Sequence, residues 1–400
     1  MEKIDLENFI ADAAKTQESS MPDIFDLAQE ADRARLAQLV EAKLVLHVSD
    51  DFTEQEKEYF GVANPSLVYQ PGFGDKFQAY LAEEEKKQPM WQRGRWVYFP
   101  WLSSVSHILE DERFQMVRTA RNKNLITQEE QDKFYHSVIG IAGLSVGNSV
   151  MLAIVLQGGG RHIKLADHDQ LALSNTNRIR VGVENLGLDK VEMTARQIYA
   201  INPYVTIELF KDGLNRENMS DFFDGGAKLD IVIDEIDNLA VKYLIREHAR
   251  ANKIAVVMAA DNGDNGVVDI ERYDLDPETP FFHGRMGEVS YEMLSGLDKF
   301  GIGKMITKLV GAENVTIRMQ ESLLEMGKTI VSWPQLGGAA LLNGSAAAYC
   351  VRKILNGQPI ENDRALVSLD ELLIPTWNTP EEIAKRTAAA QAFKKIFNLE

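Results

Sequence analysis

The chain has 400 residues, 45% hydrophobic and 26% charged, an ordinary globular composition at a length that suits two or three domains. A formal net charge of −17 argues against a nucleic acid or an anionic membrane as partner, and a single cysteine excludes an internal disulfide framework and any multi-cysteine zinc site. The N-terminus, MEKIDLENFIADAAK, has no basic stretch leading an apolar core. The longest uncharged apolar stretch, Leu336 to Val351, is too short and too rich in Gly, Asn and Ser to span a bilayer, so the reading is a soluble cytoplasmic protein.

Residues 1–115 form an N-terminal region of mixed character. Ile24, Leu27, Ala28, Ala31, Leu36, Leu39 and Val40 recur at helical spacing, and Leu44 to Val48 suits a strand. Asp51 and Thr53 precede an acidic helix start, and AEEEKK at 82–87 reads as a solvated helix face. Trp91, Trp96, Tyr98, Phe99 and Trp101 then cluster around Arg93 and Arg95. Two readings stand: a strand and bend packed on the core, or a surface that stacks a substrate while the arginines clamp an anion. Thr127 followed by Glu130 fits a capping box.

The stretch from His136 to Asp169 organises the rest. An apolar run, Val138 to Ala142, leads into a Gly/Ser turn, a helical run from Asn148 to Gln157, a glycine triplet and a second apolar run ending in acid. This is strand, loop, helix, strand: the opening unit of a doubly wound α/β fold with a mainly parallel sheet. In the loop, Gly143 and Gly147 let the backbone turn sharply and approach a ligand, and Ser145 adds a hydroxyl. The helix after the loop directs its free N–H groups and positive dipole end at the same point, which favours phosphate. Asp167 ends the second strand 24 residues after Gly143, about where such folds hold a ribose hydroxyl. This much fits a dinucleotide or ATP.

Downstream, a helix starts near Asp189, Val205 to Phe210 alternates as a strand, and Asp230 to Ile233 runs apolar into Asp234. A helix then runs from Asn238 through Ala251. Ile254 to Ala260 reads as a buried parallel strand, and Val267 to Tyr273 as an antiparallel one. Residues 274–400 read as mostly helical. They hold a segment broken by Gly301, Gly303 and Gly311, a small-residue helix from Gly337 to Leu355, and a final Ala/Lys-rich helix. The small residues would admit a second helix, from the same subunit or across a dimer.

The residues after Asp167 indicate the ligand. Asp169, Asn175, Asn177 and Arg178 lie on one loop, and Lys190 starts the next helix. Two fixed cations around a polyphosphate suit ATP, because charge builds on the leaving pyrophosphate in adenylyl transfer. Asp234 and Asp237 end another strand, where a carboxylate beside phosphates suits magnesium.

Over residues 116 to 273 the chain resembles the ThiF/MoeB family, the adenylating domain shared with ubiquitin-activating enzymes. The resemblance rests on the Gly-rich loop, Asp167-His168-Asp169, Ser174-Asn175-Thr176-Asn177-Arg178, Lys190, Ile201-Asn202-Pro203 and Asp234 to Asn238, in that order. Larger bacterial ThiF-family proteins with an added N-terminal region, including a GLSVGN loop, look similar. The resemblance implies ATP and Mg2+ as cofactors, with Gly143, Ser145, Gly147, Asp167, Asp169, Asn175, Arg178 and Lys190 around the nucleotide. Asp167 would hold the ribose, Asn175 and Arg178 the phosphates, Lys190 the α-phosphate under attack, and Asp237 the magnesium. Arg121, with Arg118 in reserve, would reach the ATP site of the other subunit of a homodimer.

The chain departs from the family in having Ala142 and Leu144 where glycines are common, and Ile179 after the loop arginine. Cys350, in the small-residue helix, reads as a buried structural thiol, so no catalytic cysteine and no thioester cascade are expected. The implied activity is ATP-dependent activation of a carboxylate, a peptide C-terminus or a small molecule, with release of pyrophosphate. DNGDNG at 261–266 and FFHGR at 281–285 would line the acceptor side, with His283 as a base or a structural residue. Two rivals are an NAD(P)-dependent oxidoreductase and a non-catalytic nucleotide-binding scaffold. The expected organisation is 1–115, 116–273 as the ATP-binding domain, and 274–400 for the substrate side or dimer contacts.

Overall fold

The structure, a computed structural model, describes residues 19–399. These divide into two compact units. Described residues through Leu125 join Ile198–Tyr204 in the first, and residues 126–197 join everything described from Val205 onward in the second.

In the first unit, strands β1 (Asp23–Phe25), β2 (His47–Asp50), β3 (Arg95–Phe99) and β4 (Ser104–Ile108) form a sheet in the order β1-β3-β4-β2. The β2–β4 pair is parallel and the other two pairs are antiparallel. Phe25, Leu27, Tyr98 and Val105 bury its core. The helical spacing read from Ile24 to Val40 resolves into β1 and helix α1 (Glu30–Glu41). Two carboxylates cause the break: Asp26 accepts from the Ala28 N–H at 3.0 Å, and Asp32 accepts from the Asp26 N–H at 2.8 Å.

The aromatic cluster forms β3 and the bend after it. Trp96 stacks on His107 with ring centroids 4.3 Å apart. Arg93 pairs with Glu84 at 2.5 Å and Glu56 at 3.2 Å, and Arg95 with Asp26 at 3.6 Å. Carboxylates of the same unit already occupy these arginines, so the strand-and-bend reading holds over the anion clamp.

The second unit begins with helix α2 (Gln128–His136). Its capping box is formed as expected: Thr127 Oγ1 accepts from the Glu130 N–H at 3.3 Å, and the Glu130 carboxylate accepts from the Thr127 N–H at 2.8 Å. Strands β5 (Val138–Ala142), β6 (His162–Ala166), β7 (Thr206–Phe210), β8 (Ile231–Asp234), β9 (Ala255–Asn262), β10 (Asn265–Glu271) and β11 (Arg364–Val367) form one sheet in the order β11-β10-β9-β8-β5-β6-β7. β7 through β9 in that row pair parallel, and β10 and β11 add antiparallel. β5, β8 and β9 are apolar along almost their whole length and buried, as a sheet covered on both faces requires. Each fully buried Ile, Val or Leu there contributes about 1.5–3 kcal/mol. The result is the doubly wound α/β fold expected from the sequence.

The connections from β5 run one way to β6 and β7, and the chain then returns to lay β8 and β9 on the other side of β5. The switch point is therefore the gap between the ends of β5 and β8, where such sheets bind ligands. Helix α3 (Val146–Leu156) follows β5, α4 (Lys190–Ile201) precedes β7, and α5 (Leu239–Asn252) follows β8.

The C-terminal region differs from expectation in two places. Helix α6 (Lys299–Val310) runs unbroken through Gly301 and Gly303. Asp298 caps it by accepting from the Gly301 N–H at 2.7 Å, and Phe397 covers Gly303, which offsets a propensity cost of about 1 kcal/mol per glycine. β11 was not read from the sequence, because four residues carry too little alternation to signal a strand.

Helix α7 (Gly337–Leu355) matches its expected bounds and packs within the unit, Gly344 against Ser149 of α3. Helix α8 (Pro380–Ile396) is the Ala/Lys-rich one. Residues beyond 273 thus share a compact unit with the sheet, and the unit boundary falls at Leu125. Among the described residues, no helix is long and apolar enough to cross a membrane.

Candidate active site

The loop after β5 turns at Gly143, whose φ is +87°. A side chain there would strain the backbone, and its Cβ would lie 2.3 Å from the Glu235 carbonyl oxygen. Glycine is therefore required by the close approach of the chain leaving β8. Ser145 is the N-cap of α3 and makes no side-chain cap, so the first turn keeps its donors for another partner. The Ser145 hydroxyl instead accepts from Arg178 Nε at 2.8 Å. Gly147 lies inside the first turn, against Ile141.

Asp167, at the end of β6, orders the neighbouring backbone. Its carboxylate accepts from the Leu144 N–H and the Asp169 N–H, at 2.7 and 2.8 Å. Each oxygen keeps a second lone pair for a hydroxyl donor. Lys190, at the start of α4 and 5% exposed, donates to Asp169 at 2.7 Å and lies 3.8 Å from Asp167. Burial alone would raise the Asp169 carboxyl. The Lys190 hydrogen bond and charge, with the charge of His168, outweigh it and hold Asp169 below the ordinary carboxylate value. Potential ligand atoms of Asp167, His168 and Asp169 lie within 4.8 Å of one another. Lys190 already supplies the positive charge there, so these residues do not suit a metal.

Arg178 sits on the loop before α4. Its guanidinium also donates to the Ser174 carbonyl at 3.2 Å and to Asn177 Oδ1 at 3.0 Å. Burial pulls its pKa down, opposed by the charges of Asp261 and then Asp237. Asn175 spends its side-chain oxygen on the Ala172 N–H at 2.9 Å, which leaves its NH2 as the group still able to donate.

After β8 the two aspartates part. Asp234 is fully buried, 3.2 Å from Lys242 and paired with Arg246, and belongs to the core. Asp237 is exposed, and its carboxylate has no hydrogen-bond partner among the described residues. That suits a magnesium ion, which keeps several waters and takes one or two carboxylates. Asn238 caps α5 by accepting from the Ala240 and Val241 N–H groups at 3.0 and 3.2 Å.

Gly143, Ser145, Gly147, Asp167, Asp169, Asn175, Arg178, Lys190 and Asp237 therefore gather at one edge of the sheet, across the switch point. Arg121 lies in the first unit, on the turn Ala120–Asn122. His283 bonds the Ile270 carbonyl through Nε2 at 2.8 Å, which holds a turn and speaks for its structural reading. Sequence reasoning missed Gln335 and Asn343, which bind Asp261 at the end of β9. The only signal was Asn343, a lone amide in the small-residue first half of α7, and nothing marked Gln335.

Residues 119–292 match the model of the ThiF family. An uncharacterised protein of Mycobacterium tuberculosis is 35% identical over 307 residues, 75% of this chain and 42% of that one. The tRNA threonylcarbamoyladenosine dehydratase of Haemophilus influenzae is 34% identical over 140 residues, 34% of this chain and 52% of its own length. The sulfur carrier protein adenylyltransferase of Thermus thermophilus is 28% identical over 151 residues, 38% of this chain and 51% of its own. The chain spans about half the length of the curated relatives it matches.

Proposed function

Because the chain carries a ThiF-family domain over residues 119–292, we propose that it is an ATP-dependent adenylyltransferase that activates a carboxylate. The observation that carries this reading is the gathering of Arg178, Lys190 and Asp237 around an uncapped helix start at the switch point of the sheet. A sheet edge built for a dinucleotide alone would have no use for two cations and a free carboxylate there.

In the proposed reaction a substrate carboxylate oxygen attacks the α-phosphorus of ATP. The new P–O bond forms as the bond to the β-phosphate oxygen breaks, giving an acyl-adenylate and pyrophosphate. Asp167 would accept the ribose hydroxyls on its free lone pairs. The N–H groups of the first turn of α3, with Asn175 and Arg178, would hold the phosphates. Lys190 would leave Asp169 to neutralise the α-phosphate as it is attacked. Asp237 would hold magnesium, which supplies charge neutralisation to the β- and γ-phosphates. In a homodimer, Arg121 would reach the ATP site of the second copy. The protein contributes orientation and charge, not a covalent nucleophile.

The acyl group is that of a peptide C-terminus or a small molecule, and an amine or a partner thiol receives it. Exchange of labelled pyrophosphate into ATP, dependent on an added carboxylate, tests the proposal. Absence of exchange with every carboxylate offered, together with absence of ATP binding, would refute it.

A further inference from the structure

Asp261 is the penultimate residue of β9, on the same sheet edge as Gly143, Asp167 and Asp237. It is 8% exposed, and its charge acts on Arg178 more strongly than that of Asp237 does. Yet the two groups make no ion pair among the described residues. Both Asp261 oxygens are held by amides instead. Asn343 Nδ2 donates to Oδ1 at 2.6 Å, and Gln335 Nε2 donates to Oδ2 at 3.4 Å. A carboxylate only accepts, so the Asn343 nitrogen must be the atom that faces it.

Gln335 is in turn bound to the Arg178 loop. Its carbonyl accepts from Asn177 Nδ2 at 2.8 Å, and Asn177 Oδ1 accepts from the Arg178 guanidinium at 3.0 Å. Two residues on, Gly337 lies so close that an added Cβ would be 2.4 Å from the Asn177 carbonyl oxygen. One hydrogen-bonded chain therefore runs from Ser145 through Arg178, Asn177 and Gln335 to Asp261, and Asn343 closes it.

From this chain of contacts we infer that Gln335, just before α7, and Asn343, in its second turn, are positioning residues that hold Asp261 away from Arg178 and so keep the guanidinium available for a phosphate. An ionised carboxylate at this depth needs donors. With its amides in place it is satisfied where it stands. With Asn343 removed, its freed oxygen turns to the strongest donor within reach, and a charge-assisted pair with Arg178 competes with the nucleotide. The inference rests on the ATP-binding reading, and it gives α7 a part in the affinity of a site it does not line.

The test is calorimetric titration of the full chain with Mg·ATP, with thermal unfolding as the check on folding. Asn343→Ala should weaken binding about tenfold, the scale of coupling between residues that share a network. Gln335→Ala, a milder change at a half-buried position, should act in the same direction and covers the case in which Asn343→Ala does not fold. Asp261→Asn should bind several-fold more tightly than wild type. In the double variants with Asp261→Asn, the penalties of the other two changes should vanish. Equal penalties in both backgrounds, as a purely structural role requires, would overturn the inference while leaving ATP binding intact. If Arg178→Ala binds Mg·ATP as well as wild type does, this inference falls and the ATP reading stands; if wild type binds no Mg·ATP, both fall together.

Discussion

Lys190 donates to Asp169 across 2.7 Å, so the most deeply buried cation of the candidate site is neutralised by a half-exposed carboxylate while no nucleotide is bound. A phosphate arriving at Lys190 would have to displace Asp169 or share the ammonium with it. Lys190→Ala should therefore do more than remove one favourable charge, since it leaves Asp167 and Asp169 unneutralised side by side and facing an anion. Pyrophosphate exchange should fall by about 10²-fold or more, the usual scale for a lost charge-stabilising donor. Lys190→Ala exchanging at the wild-type rate would remove Lys190 from the chemistry.

Gly143 separates architecture from binding. Its φ of +87° and the 2.3 Å approach of the Glu235 carbonyl to an added Cβ leave no room for alanine unless the chain leaving β8 moves. Gly143→Ala should cost about 1–3 kcal/mol of stability, the range for a side chain forced into a disfavoured backbone region. It should also weaken ATP binding, since the displaced segment leads directly to Asp237. Urea denaturation and an ATP titration of the same sample check both, and an unchanged denaturation midpoint would show that the loop yields more easily than its geometry implies.

The parts of this fold legible in the sequence are those that local chemistry determines. Val138–Ala142 and Ile231–Ile233 are uniformly apolar because they are covered on both faces, and Thr127 with Glu130 needs only four residues to form a capping box. The glycine loop, Asp167 and Lys190 come one after another closely enough for their spacing to be informative. The contacts of Asp261 with Gln335 and Asn343 span 74 and 82 residues, and no local pattern announces them. Gly301 and Gly303 mislead for the opposite reason: their local propensity is poor, and Phe397, almost a hundred residues away, makes the helix possible. Asp234 and Asp237, similar in sequence, have opposite fates because Arg246 and Lys242 on the next helix draw only the first into the core.

Arg246 should be among the costliest residues to replace. It is fully buried, pairs with Asp234 and lies 2.8 Å from the Glu271 carboxylate, with the Phe282 ring 4.2 Å beneath its guanidinium carbon. Burial works against its charge, but Glu271 and Asp234 more than compensate and raise its pKa above the ordinary arginine value. Arg246→Ala would leave Glu271 buried without its ion-pair partner, and Asp234 with Lys242 alone. The expected loss is about 3–5 kcal/mol, as for one partner taken from a buried ion pair. Chemical denaturation measures it, and a loss below about 1 kcal/mol, the scale of an exposed ion pair, would mean that water reaches these carboxylates.

Cys350 offers a check on the expectation that no thioester is involved. Burial within α7 pushes its thiol up from the ordinary value of 9.0 to about 11, a backbone hydrogen bond opposing only weakly. The thiolate is the reactive form, so the folded protein should resist iodoacetamide at pH 8 and label promptly once unfolded in guanidinium. The same shift sets the sign for stability. The neutral thiol is favoured in the folded state, so its contribution is complete below pH 9 and is lost as the pH rises toward 11. Cys350→Ala should leave carboxylate-dependent pyrophosphate exchange unchanged. Rapid labelling of the folded protein at pH 8, or loss of acyl transfer in the alanine variant with exchange intact, would instead make Cys350 a participant.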